Sequence, residues 1–164
     1  MPQFGFSYIG LLFLGLLTVP NLIWAKYPPK GYAPDRENKA LLRMERIGQV
    51  LVTAMSLCFA NLNFRPWTVW SWLLVAAGVC MALYEGFWLR YFRGGRTMED
   101  FYGSFWGVPV AGATLPVAAF FCLGLYGKSL WLLLAVMILG IGHIGIHLGH
   151  KKDLSSGKNK KNNA

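Results

Sequence analysis

Charge is scarce in this chain, and negative charge scarcest. Of its 164 residues 14% are charged, with 7 Asp+Glu against 16 Lys+Arg, while 55% are hydrophobic. A soluble fold of this length buries one modest core and must cover it with polar side chains. Here the charged residues avoid five long stretches almost entirely, which excludes a soluble domain. Cysteine is nearly missing as well: Cys58, Cys80 and Cys122 all fall inside apolar segments, with no CxxC spacing. They supply neither a disulfide framework nor a zinc knuckle and read as small buried hydrophobes. Gly-rich phosphate cradles and Ser/His/Asp signatures are lacking, and Arg93-Gly94-Gly95-Arg96 is a basic turn with no nucleotide pattern after it. There is no internal repeat and no pair of matched halves, which counts against an inverted-repeat transporter built from one copy. A homo-oligomer would restore that option.

What is present is apolar sequence in blocks. A helix needs about 20 apolar residues to cross about 30 Å of hydrocarbon, because its backbone groups must be satisfied within the segment. Five segments are read as spans, at 6–25, 47–62, 67–89, 104–125 and 129–149. The N-terminus, MPQFGFSYIG, has no basic n-region and no convincing small-x-small cleavage site, so the first block reads as a retained span. The second is short, and the run from Asp35 after Pro34 is expected to form one longer helix with it, Asp35 acting as N-cap. Pro109 and Pro116, seven residues apart in the fourth span, are expected to kink it and free backbone carbonyls. Thr97, followed three residues later by Asp100, can cap an interfacial helix that leads into that span. The tail, 151–164, is basic, low in complexity and expected to be disordered.

The net charge of +9 does not indicate nucleic acid, because the basic residues sit in short runs beside apolar segments. Fourteen Lys and Arg fall in the first and third loops and the tail, against only Arg65 and Lys128 on the other side. Short loops rich in Lys and Arg stay cytoplasmic. The fold class that follows is all-α: a polytopic integral membrane protein of five transmembrane helices, N-terminus outside and C-terminus cytoplasmic, in the cell membrane. All seven acidic residues and all three histidines fall on the cytoplasmic side of that arrangement.

Candidate chemistry concentrates in Gly140-Ile141-Gly142-His143-Ile144-Gly145-Ile146-His147-Leu148-Gly149-His150. The histidines are spaced i, i+4, i+7 and form one stripe on a helix. Gly142, Gly145 and Gly149 form the neighbouring face, with Gly145 and Gly149 placed for close approach of another backbone. Ionisable groups inside a membrane segment are costly and ordinarily face the bundle interior. Partners at the same depth are Glu85, whose face also carries Gly78 and Ala82, and Glu45, with Gln49 and Asn21 nearby.

Three readings follow. In the first, a small binding or accessory membrane protein uses a His/Glu polar cluster to fix its helices. In the second, a membrane-embedded enzyme acts on a lipid or lipid-linked substrate, with His143, His147, Glu85 and Glu45 as catalytic candidates. There His143, His147 and Glu85 could hold a divalent metal, and Arg43, Arg46 and Arg90 an anionic headgroup. No HExxH glutamate stands between the histidines. In the third, a small transporter exchanges protons at Glu85 and His143. The partners in every case are the bilayer and its anionic headgroups.

Overall fold

The structure is a computed structural model, and it describes residues 3–29, 32 and 37–162, with side chains up to 156. It is all-α. Among the described residues six α-helices run in order: α1 (Tyr8–Lys26), α2 (Lys39–Cys58), α3 (Ser71–Arg93), α4 (Met98–Tyr102), α5 (Ala111–Tyr126) and α6 (Leu130–Asn162). Three of them, α1, α3 and α6, are long and apolar enough to cross a membrane, and α5 is a shorter apolar helix.

The five longer helices alternate in direction. The start of α1 lies against the end of α2, where the Gly5 and Ser7 amides donate to the carbonyls of Cys58 and Leu57 at 3.0 Å each. That same end carries the start of α3 and the tight turn between α5 and α6. There Asn61 donates to the Gly127 carbonyl, Arg65 donates to the Tyr126 carbonyl at 2.6 Å, and Tyr126 donates to the Asn63 carbonyl at 2.9 Å. The opposite end, where most of the basic residues lie, gathers Trp24, Glu37, α4 and the histidine stripe of α6.

Packing is decided by small residues. At Gly48 an added Cβ would sit 2.5 Å from the Leu139 backbone, and at Gly142 it would overlap the Leu41 carbonyl and the Glu45 amide. These two glycines let α2 and α6 touch backbone to backbone, the kind of close crossing that small residues permit between membrane helices. Gly10 makes the equivalent approach to the Ser56 carbonyl where α1 meets α2. Gly112 on α5 gives room to the Phe87 ring of α3. The core between α3, α5 and α6 is aromatic and aliphatic, with Tyr84, Phe87, Tyr91, Phe120, Leu123 and Leu132 fully buried.

Several elements differ from the sequence reading. Helix α2 begins at Lys39 and is capped by Asn38, whose side chain accepts from the amides of Ala40 and Leu41 at 2.8 and 3.3 Å. Asp35, the expected cap, lies outside the described residues. The fourth span does not start at residue 104, because α5 begins at Ala111 after an irregular stretch in which Trp106 and Val110 adopt positive φ. Pro109 therefore precedes the helix, and only Pro116 lies within it. Helix α6 continues through Asn162, into the segment expected to be disordered. Once a long helix exists, adding residues to its end avoids the cost of nucleation. Lysines at a helix C-terminus also complement the macrodipole, and Leu154 packs against the core. The capping box at Thr97 forms as read: its hydroxyl accepts from Asp100 N at 3.0 Å, and Asp100 accepts from Thr97 N at 3.1 Å.

Candidate functional site

The histidine stripe faces α2 and α4, and each ring has a different environment. His143 Nδ1 meets Glu45 Oε1 at 2.5 Å, joining α6 to α2. One turn on, the His147 ring lies 4.6 Å from that of His143 and packs on Phe101 and Tyr102 of α4 at 5.6 and 5.5 Å. Another turn on, His150 Nε2 meets Glu37 Oε1 at 3.1 Å and stacks on Tyr102. Tyr32 closes the group by donating to Glu37 at 2.7 Å, its ring set edge-on to Trp24. Burial pushes the Tyr102 and Tyr32 hydroxyls up, and for Tyr32 the bond to Glu37 adds to this, so both are protonated at neutral pH.

This network lies along an open cavity of about 330 Å³ bordered by Trp24, Glu37, Glu45, Trp88, Tyr102 and His147. A second cavity of about 290 Å³ lies between α1, α2, α5 and α6, lined in part by Leu14, Leu17, Val52, Val117, Phe120 and Leu139. Asn21, Gln49 and His143 border both. The first is polar and aromatic; the second is mainly apolar, with Thr18 and Thr53 on its wall as well as the three shared polar residues. Helices α1 and α2, pinned together at Gly10 and Ser56, part beside the second cavity, where Leu22, Gln49 and Thr53 are exposed.

The sequence candidates separate in space. His143, His147 and Glu45 come together as read. Glu85 does not join them: Gly78 and Ala82, which share its face, are exposed, while α3 packs inward through Ala77, Met81, Tyr84 and Trp88. One Glu85 carboxyl oxygen is buried with no hydrogen-bond partner. Among the described residues no three of His, Cys, Asp and Glu are grouped to hold a metal ion, so the set of His143, His147 and Glu85 is not assembled. The three arginines are also apart. Arg46 borders the polar cavity, and Arg43 is exposed on α2. Arg90 donates to the carbonyls of Asp100 and Ser104 at 3.0 and 3.2 Å and lies over the Phe105 ring. Its role is to hold α4 and the stretch after it against α3.

The sequence reading missed Glu37, Tyr32, Trp24 and Tyr102 as members of the site. The one available signal was the density of aromatic residues flanking the basic loops. The close approach expected at Gly145 and Gly149 occurs instead at Gly142: Gly145 meets only the Leu41 side chain, and Gly149 faces open space. No protein-family model matches the chain, and neither the curated proteins nor the solved structures hold a match to it.

Proposed function

We propose that the protein is a five-span integral membrane protein of the cell membrane, N-terminus outside and C-terminus cytoplasmic, that works as a binding or accessory protein. Its His/Glu cluster clamps the cytoplasmic end of the bundle around a polar cavity. The observation that carries this reading is the pair of cross-helix contacts, His143 to Glu45 and His150 to Glu37, on either side of His147. The first pair joins α6 to α2 and the second joins α6 to the segment just before α2; His143, Glu45 and Glu37 border the polar cavity, while His150 lies outside its lining. Support for five spans comes from the alternation of the five longer helices and from the distribution of Lys and Arg.

The clamp is tested by thermal unfolding of detergent-purified protein. Glu45→Ala and His143→Ala are each expected to lower stability by about 1.5–3 kcal/mol, the range for a hydrogen bond to a charged group. The double variant should fall well short of the sum, since each single change already removes the shared contact. Unchanged stability in both single variants would sink the clamp.

A second reading is favoured by one feature. A histidine oriented by a carboxylate and facing two cavities is the arrangement of a general acid or base, so an enzyme acting on a lipid or lipid-linked substrate would use His143 with Glu45. In that case His143→Ala would abolish cellular function, and Glu45→Gln would reduce it while the protein stays folded. Full cellular function of a folded His143→Ala protein would exclude this enzyme.

A further inference from the structure

The two cavities have unlike linings and share a boundary at Asn21, Gln49 and His143. Each is close to the lower limit of about 300 Å³ for clefts that hold small ligands. Together they suit one ligand with a polar end and an apolar end. The cavity between α1, α2, α5 and α6 has a volume of about 290 Å³ and is lined chiefly by Leu14, Leu17, Val52, Phe120 and Leu139, which suits a hydrocarbon chain. Because α1 and α2 part beside it, such a chain can enter sideways from lipid, past the exposed Leu22 and Thr53.

The polar cavity defines the other end. The carboxylates Glu37 and Glu45 and the rings of Trp24, Tyr32, Trp88 and Tyr102 border it. Aromatic faces with carboxylates beside them attract an ammonium group, by about 0.5–2 kcal/mol for a cation over a ring. Pro116 adds to this end, because it has no N–H to offer the carbonyl of Gly112, which borders the same cavity. Donors are present too. The indole N–H groups of Trp24 and Trp88 are buried beside the hydroxyls of Tyr91 and Tyr84, and neither pair closes into a well-formed hydrogen bond. Buried donors ordinarily find acceptors, and Arg46 borders the cavity as a fixed positive charge. A purely cationic head would leave the indoles and Arg46 unmatched. A purely anionic head would face two carboxylates and the negative faces of the rings.

We propose that the two adjoining cavities together bind a single-chain amphiphile with a zwitterionic phosphate-and-ammonium head, the ammonium among the rings and carboxylates and the phosphate on Arg46 and the indole donors. The inference rests on the reading of the protein as a membrane binding protein and names the class of ligand. It is tested by equilibrium binding to the full chain in nanodiscs of phosphatidylglycerol, with empty nanodiscs as the blank. The probes are hexadecylphosphocholine, hexadecyltrimethylammonium and hexadecyl sulfate. Saturable binding of one phosphocholine probe per chain is expected, at least tenfold tighter than either singly charged probe. Arg46→Gln should weaken the phosphocholine probe and spare the ammonium probe, while Glu37→Gln should weaken both. Thr53→Trp, at an exposed position, should narrow the chain cavity and weaken all three without unfolding the protein. Non-saturable uptake equal to that of empty nanodiscs overturns the proposal, as does any other order of the three probes. Either outcome, with the protein folded and the clamp variants behaving as above, leaves the clamp itself standing.

Discussion

At the scale of single residues, burial and pairing separate groups that look alike in sequence. Glu45 stands just before the second apolar stretch and Glu85 within the third, yet Glu45 meets a histidine and Glu85 has a carboxyl oxygen without a partner. An unsatisfied buried polar group costs about 1–3 kcal/mol. Glu85→Met is therefore expected to leave the thermal midpoint unchanged or raise it, whereas Glu45→Met should lower it. A fall in stability with Glu85→Met would show that its carboxyl group makes a stabilising contact. Tyr32→Phe, losing only the bond to Glu37, should cost about 1 kcal/mol, and the unfolding midpoint measures it. The two basic residues that break the charge asymmetry are also explained here. Arg65 is held by the Tyr126 carbonyl and ring, and Lys128 lies over Trp70 at 4.6 Å. Single-residue roles of this kind were the least legible in sequence, because a charge in a loop looks the same whether it is solvated or docked.

At the scale of elements, the capping box and the glycines carry the testable content. Asp100 is held below the usual carboxylate range, chiefly by the hydrogen bond from the Thr97 amide. A carboxyl whose folded value is depressed stabilises its element above the unfolded value, about 3.9, and loses that contribution as pH falls through the folded value. The protection of the Met98–Tyr102 amides, taken relative to the intrinsic exchange rate at each pH, should accordingly be greatest at neutral pH and fall in acid. Thr97→Ala should remove most of that protection at every pH, at about 1 kcal/mol for a lost cap. The glycines of α6 give a contrast within one helix. Gly142→Ala forces a methyl into the α2 backbone and should destabilise the bundle. Gly149→Ala meets nothing and should be neutral or stabilising, by up to about 1 kcal/mol of helix propensity. Equal effects of the two substitutions on the unfolding midpoint would contradict the packing described for α2 and α6. The capping box was legible because its two partners lie three residues apart in one segment. Which of three glycines on a face makes the close contact was not, since that depends on where another helix crosses.

At the scale of the whole molecule, the alternating direction of the longer helices and the skewed charge point the same way. With a single cysteine introduced in a background lacking Cys58, Cys80 and Cys122, a membrane-impermeant maleimide applied to intact cells should label Phe64→Cys and spare Ser155→Cys. Labelling of the second and protection of the first would invert the proposed orientation. Labelling of both would remove the odd number of spans.

Sequence alone determined that the chain is helical, that its apolar residues come in blocks long enough to cross a bilayer, and that its charges and histidines collect at one end. Those properties are local: they depend on composition and spacing within one segment, and hydrocarbon, helix geometry and charge act on each segment independently. Only the tertiary structure decided that His143 meets Glu45 rather than Glu85, that Tyr32 and α4 complete the cluster, and that a polar cavity and a mainly apolar one share a wall at Asn21, Gln49 and His143. Those depend on how far one helix slides and turns against another. Gly48 and Gly142 fix that register by allowing α2 and α6 to touch, and no pattern within either segment reveals where the two will meet.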